Sequence, residues 1–372
     1  MAKDTARTEP LTSLRRTLVL AATLAIAVGA CGGSAATPAP TAGPTTAPVA
    51  TEVPAATSAP TAETPTEAAI PAPEAGTFRM GTEPWLGYGP WWIANEKGYF
   101  KDAGLDATVT NFDTDDQINT ALVSGQIDGA NIATHTALRL ISSGTPITIV
   151  MLLDQSNTAD AILSGAEIAT IADMKGRKVA YEEGTTSDIL LRYALTQAGL
   201  TIDDVVRTPM PAAQAGIALI AKQVDVAVTY EPYLTSALAQ DSTLKLLYTA
   251  EQKPGLIGDV FVVRNDYLAK NPGQVFAALK AWDLAMGFYR SDTAAAQGII
   301  ETAVGATPGD LKTAFDGVLF YNVAEAKALM TGGGYGATLT DVKKIAVDAG
   351  IIVDAVDETK VMDTSFVSTL AR

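Results

Sequence analysis

Short apolar runs alternate with helix-length amphipathic segments from residue 78 onward. Phe78–Thr82, Asp106–Asn111, Gly129–Ala133 and Ile147–Leu153 read as strands, the last apolar throughout. Trp91–Lys97, Asp115–Val123 and His135–Ser143 read as the helices between them. Pro90 suits a first helical turn, and Ser124-Gly125 a stop. The pattern then restarts. Asp160–Leu163, Lys178–Tyr181, Val205–Thr208, Val226–Thr229 and Lys245–Thr249 read as strands. Thr186–Ala198, Ala213–Ala221 and a segment from Pro232 read as helices. Val260–Val263 reads as a strand returning to the first group. Helices are predicted over Pro272–Arg290, Ala294–Val304, Pro308–Phe315, Ala324–Met330 and Leu339–Ala349. Apolar strands alternating with helices predict parallel-type sheets covered on both faces.

One corner occurs twice. Ala121-Leu122-Val123-Ser124-Gly125-Gln126-Ile127-Asp128 returns as Ala218-Leu219-Ile220-Ala221-Lys222-Gln223-Val224-Asp225. Each copy reads as a helix end, a tight turn and the approach to an apolar strand. The repetition predicts two similar α/β lobes, with Asp128 and Asp225 fixing the turns. Lobe 1 is expected over 78–154 and 256–372, with lobe 2 inserted as 155–255. Crossings near Asp154–Asp160 and Ala250–Asp259 would form a two-crossing hinge, with a ligand cleft between the lobes.

The N-terminal segment changes the picture of where such a chain works. Arg15 and Arg16 precede an apolar run from Leu18 to about Val28. That run is shorter than the roughly 20 residues a membrane span needs, and it fits a signal-peptide core. It ends in Val28-Gly29-Ala30 before Cys31, the single cysteine of the chain. This resembles a bacterial lipobox and predicts a signal peptide over 1–30 and lipidation at Cys31. A free cysteine beside a plain cleavage site is the alternative. General and twin-arginine export both stay open. Residues 31–77, rich in Thr, Pro, Ala and Ser, read as a disordered tether. The expected location is therefore outside the cell's cytoplasm, lipid-anchored at the outer face of the cytoplasmic membrane.

The net charge of −15 and the lack of a basic run beyond that segment argue against a nucleic-acid partner. One cysteine and one histidine exclude a disulfide framework and the common thiolate or His-rich metal sites. No cofactor is expected, and a monomer is.

Ligands of open α/β sheets bind beyond the carboxyl ends of the strands. That rule selects Glu83, Trp85, Tyr88 and Trp91 after the first strand. It selects Thr134, His135 and Thr136 after the third, and Asp154, Gln155, Ser156 and Asn157 after the fourth. In lobe 2 it selects Tyr181, Glu182 and Gly184-Thr185-Thr186-Ser187, and then Tyr230, Glu231 and Tyr233. Gly255–Asp259 lies at the return crossing. Thr185, Thr186 and Ser187 open a helix, where hydroxyls and free backbone N–H groups hold anions. The aromatics offer stacking and cation–π surfaces, and only one of Trp91 and Trp92 is expected to face the cleft. The carboxylates Glu83, Asp154, Glu182 and Glu231, with few cations near the strand ends, favour an amine-bearing or otherwise cationic group. His135 is a hydrogen-bonding candidate or a turn cap. No nucleophile–base pair is spelled out by a local motif.

Several segments carry a family resemblance. Trp85-Leu86-Gly87-Tyr88-Gly89-Pro90-Trp91-Trp92, continuing to Leu105, resembles the opening signature of the nitrate/sulfonate/taurine (NitT/TauT-type) group of ABC-importer substrate-binding proteins. Ser124–Ala130, Asp173–Ala180 and Tyr230–Tyr233 are similar to its later signatures. The resemblance implies a type II periplasmic-binding-protein fold and no catalysis. It also implies delivery of a small-molecule solute to an ABC permease with its ATPase subunit. Members bind nitrate, bicarbonate, sulfonates, taurine or thiamine-precursor pyrimidines. An amine-bearing sulfonate such as taurine, or a related alkanesulfonate, is the leading expectation, with Glu231 taking the amine of taurine and Thr185–Ser187 the sulfonate. A thiamine-precursor pyrimidine or another cationic aromatic solute is the alternative. An enzyme of the related thiamine-pyrimidine synthase group is the competing class. Its chemistry relies on histidine and a cysteine-rich motif, whereas here His135 stands alone and Cys31 lies in the signal region.

Overall fold

A computed structural model describes residues 69–354 and 356–371. The signal segment and Cys31 fall outside them. Among the described residues, eleven strands build two sheets. In chain order they are β1 Thr77–Thr82, β2 Asp106–Asn111, β3 Gly129–Ala133, β4 Ile147–Ser156, β5 Asp160–Ser164 and β6 Lys178–Tyr181. β7 Val206–Pro209, β8 Val226–Tyr230, β9 Lys245–Thr249, β10 Gly258–Arg264 and β11 Val318–Phe320 complete them. The first sheet has the order β11-β4-β10-β3-β1-β2, and the second β7-β6-β8-β5-β9. The chain passes from one sheet to the other between β4 and β5 and returns between β9 and β10.

The sheets are mixed rather than parallel. β1 pairs in parallel with β2 and β3, and β6 with β7 and β8. β10 runs antiparallel to both β3 and β4, and β5 antiparallel to both β8 and β9. These two are the first strands after each crossing. A strand entering directly from the other sheet, without a helical crossover, comes in reversed. Hydrophobic pattern alone carries no strand direction, so the expectation of parallel sheets failed here.

Both repeated corners close on the first strand of their own parallel group. Asp128 N–H donates to the Arg79 carbonyl at 2.7 Å. Its carboxylate accepts from the Arg79 backbone N–H at 3.0 Å and from Nε at 2.9 Å. In the second copy, Asp225 N–H donates to the Lys178 carbonyl at 2.9 Å, and its carboxylate accepts from Lys178 N–H at 2.8 Å. The aspartates therefore staple each turn to β1 or β6.

The core under the first sheet is aromatic. Trp91 lies 4.9 Å from Phe261 and 4.8 Å from Trp282, ring centre to ring centre. The neighbouring Trp92 donates its indole N–H to Asn111 at 3.1 Å. Ordered chain begins before Phe78: Glu74 accepts from the backbone N–H groups of Gly273 and Gln274, the first turn of the helix Pro272–Ser291. Residues 308–315 form turns and the start of a short 3-10 segment, Ala314–Gly317, rather than the expected helix. The buried Glu301 carboxylate takes the Gly309 and Leu311 N–H groups at 2.7 and 2.8 Å, which removes them from helical hydrogen bonding. The longest of the described helices span 20 residues or fewer, and none is long and apolar enough to cross a membrane.

Candidate functional site

Where the two sheets face each other, a cavity of about 30 Å³ is lined from both sides. β1 runs into Glu83, Trp85 and Tyr88, and the helix Asp115–Val123 opens with Asp115. From the second sheet come Asp160, Glu182, Thr185, Thr186 and Tyr230. Ala133, Ile257 and Asp259 complete the wall. Trp85 and Tyr230 meet edge to face, 5.9 Å between ring centres, so an aromatic contact joins the two sides. Tyr230 in turn packs against Tyr233 at 5.5 Å.

Five carboxyl groups, those of Glu83, Asp115, Asp160, Glu182 and Asp259, line this space, and among the described residues no lysine or arginine does. Burial in this space pushes all five above the ordinary carboxylate range. Burial first, and the nearby Asp115 second, push Glu83 well above the usual carboxylate range. Asp115 is raised by burial, with a hydrogen bond to Glu83 opposing. Burial lifts Asp160 to about 7, against a hydrogen bond with Ser156. Burial lifts Glu182 to about 6, against the backbone N–H of Ala212, which it accepts at 3.0 Å. Asp259 is raised to about 6, again by burial, with hydrogen bonds from Asp154 and Tyr88 opposing. A positive charge in this space would relieve several mutually repelling, poorly solvated carboxylates at once.

Glu83, Trp85, Tyr88, Glu182, Thr185, Thr186 and Tyr230 are thus brought together as the strand-end rule expected. The remaining candidates lie elsewhere. Asp154 belongs to β4, which runs on to Ser156, and its carboxylate sits behind Trp85, accepting the indole N–H at 3.2 Å. Gln155 hydrogen-bonds Asn157. Thr134 shares a hydrogen bond with the Tyr335 hydroxyl at 3.0 Å. His135 faces the Gly184 carbonyl at 3.3 Å through Nε2, and burial lowers its pKa to about 4, so the ring is neutral at pH 7. Tyr181 is fully buried inside β6. Ser187 is buried in the first turn of its helix, where its N–H donates to the Thr185 hydroxyl. Neither Trp91 nor Trp92 lines the cavity.

Glu231 is the main relocation. Its carboxylate accepts from the Thr235 N–H at 3.0 Å and the Thr235 hydroxyl at 2.8 Å, at the start of the helix Tyr233–Gln240. Those bonds make it a helix-capping group, and it is not among the cavity-lining residues. Asp115 and Asp160 were not among the residues expected to bind, and Asp259 was reached only as the end of the return crossing Gly255–Asp259. Asp115 follows β2 and opens a helix, a position the strand-end rule reaches if applied to every strand. Asp160 and Asp259 stand at the amino ends of β5 and β10. Because those strands run in reverse, their beginnings lie at the same edge as the other strands' ends.

The NMT1/THI5 like family matches residues 87–296, more than half of the chain. A Brucella abortus protein described as a binding protein is 30% identical over 197 residues, 49% of this chain and 57% of its own length. An Escherichia coli protein described as binding aliphatic sulfonates is 29% identical over 177 residues, 47% of this chain and 55% of its own. The chain therefore spans just over half the length of these curated relatives. A Saccharomyces cerevisiae 4-amino-5-hydroxymethyl-2-methylpyrimidine phosphate synthase is 28% identical over 235 residues, 58% of this chain and 67% of its own. Among solved structures, the periplasmic aliphatic sulphonate binding protein of Escherichia coli aligns with a TM-score of 0.65 at 22% identity, covering 78% of this chain and 98% of that one. The fold is thus that of the periplasmic binding proteins, as the motif resemblance implied.

Proposed function

The chain belongs to the NMT1/THI5 like family, and on that premise we propose that it is the solute-binding component of an ABC importer, specific for a small amine-bearing solute. One observation carries the choice of solute: five carboxyl groups and three aromatic rings line the cavity, with no lysine or arginine among them. An ammonium group gains charge-assisted hydrogen bonds from the acids and cation–π contact from Trp85, Tyr88 and Tyr230. A sulfonate has only the Thr185–Thr186 helix start to receive it and must approach five acids. The composition therefore favours a cationic or aromatic amine, such as a precursor pyrimidine, over taurine, and taurine over a plain alkanesulfonate.

Binding rather than catalysis is supported by the names of the Brucella and Escherichia coli relatives. The cavity's small volume has room for about two water molecules. Capture of a solute then requires the lobes to part and close again about the crossings at 157–159 and 250–257. In this reading lobe 1 is 78–154 with 256–372, and lobe 2 is 155–255. The protein works outside the cytoplasm, held by a lipid at Cys31, and hands its solute to a permease with an ATPase subunit.

Calorimetry of the full chain against taurine, an alkanesulfonate, 4-amino-5-hydroxymethyl-2-methylpyrimidine and putrescine tests the proposal. Binding by the amine-bearing compounds and none by the alkanesulfonate is expected. Binding by the alkanesulfonate alone would overturn it.

A further inference from the structure

Asp154 and Asp259 stand directly opposite each other on the neighbouring antiparallel strands β4 and β10. Asp154 is 0% exposed and Asp259 3%. Two buried carboxyl groups placed side by side by this register cannot both be charged at low cost, so one of them keeps a proton. The two differ in surroundings. Asp259 lines the cavity and accepts the Tyr88 hydroxyl at 3.0 Å. Asp154 lies behind it. Its Oδ1 accepts the Trp85 indole N–H, while its Oδ2 meets no donor. A buried carboxylate with one bare oxygen is costly, and that oxygen is the natural place for a proton.

The groups facing the pair do not change this choice. They are Trp85 and Tyr88 from the segment after β1, Asp160 at the head of β5, Tyr321 after β11, Tyr335 beside Thr134, and Glu83 and Asp115 across the cavity. None carries a positive charge.

We propose that Asp154 is a positioning residue: it keeps its proton in the resting protein and donates it in a hydrogen bond to Asp259, so that Asp259 faces the solute as the anion of the pair. At the same time its Oδ1 fixes the plane of the Trp85 ring. Burial raises both groups above the ordinary carboxylate range, which favours one shared proton on the pair. Its meaning for the solute rests on the amine-binding reading, but the arrangement itself is testable without any solute.

The test is carbon-13 carboxyl NMR of the full, solute-free chain across pH, with Asp259→Asn used for assignment. Asp259 is expected to titrate near 6 in the parent chain. In Asp154→Asn the amide N–H replaces the O–H donor, and the midpoint should stay within about half a pH unit. In Asp154→Ala the donor is gone, and the midpoint should rise by more than about one pH unit. A merely structural role would leave it unmoved, which would overturn the proposal. Should Asp154→Ala not fold, infrared spectra of the parent and Asp154→Asn at pH 8 decide. Loss of one protonated-carboxyl stretch in the variant is expected, and no loss would overturn the proposal.

Discussion

Acidification from pH 8 to pH 5 is expected to weaken capture of an amine-bearing solute, and the size of the effect follows from the cavity's carboxyl groups. A bound ammonium favours the ionised form of each acid it touches, so binding lowers their pKa values. Affinity is then fully present above the solute-free values and is lost as pH falls through them. Asp160 has a solute-free value of about 7. At pH 5 only about one molecule in a hundred has it ionised, so a solute that requires its charge loses about 100-fold in affinity, about 2.7 kcal/mol. Glu182 and Asp259, each at about 6, add about tenfold apiece if they too must ionise. Calorimetry at pH 5, 6, 7 and 8 with a solute whose own amine stays protonated reads this slope. Asp160→Asn should flatten its upper part. An anionic solute gives the opposite sign, because acids must take up protons before it can enter. Affinity that is level across this range, or that rises on acidification, would refute the cationic reading.

Other outcomes follow from particular contacts. Glu231→Ala should lower stability by about 1 kcal/mol in urea unfolding through the lost cap at the helix Tyr233–Gln240, and leave solute affinity unchanged. Asp128→Ala should cost about 2–3 kcal/mol, since it strips a buried acceptor from the Arg79 backbone and guanidinium; Asp225→Ala, at an exposed copy of the same corner, should cost about 1 kcal/mol or less. Equal losses at the two sites would contradict that account. Gly87→Ala should abolish binding while the second sheet stays folded by hydrogen exchange, because a Cβ there would overlap the Trp85 indole and the Asp154 carboxyl.

Much of the architecture was legible because it is written locally. The apolar runs located ten of the eleven described strands, most to within a residue, although β4 runs on to Ser156 and β10 starts at Gly258. The three-residue β11 was too short to stand out in a stretch read as mostly helical. The repeated corners announced two similar units. The site was legible where chain direction follows the common rule. Trp85, Tyr88, Glu182, Thr185, Thr186 and Tyr230 all follow strands that point at the cavity. Asp160 escaped, and Asp259 was reached only through the return crossing, because a reversed strand presents its first residues there, and reversal is a property of the whole chain path. Glu231 misled for a different reason. A carboxylate after a strand is equally a helix cap, and only the position of Thr235 decides between the two. Gln155 and Asp154 were displaced because β4 extends to Ser156, where polar residues end the apolar run but not the sheet pairing with β10 and β11.

The paired aspartate staples have a consequence for how such a binding site diversifies. Asp128 and Asp225 bind the entering ends of β1 and β6 at residues 79 and 178, while the cavity is reached at Glu83 and Glu182, four residues further on in each case. Register is therefore locked at one end of the strand and solute chemistry is presented at the other. On the proposed function, substitutions at the presenting end change what is captured without loosening the lock. A single scaffold can in this way be retuned from one solute to another, with its two halves diverging independently.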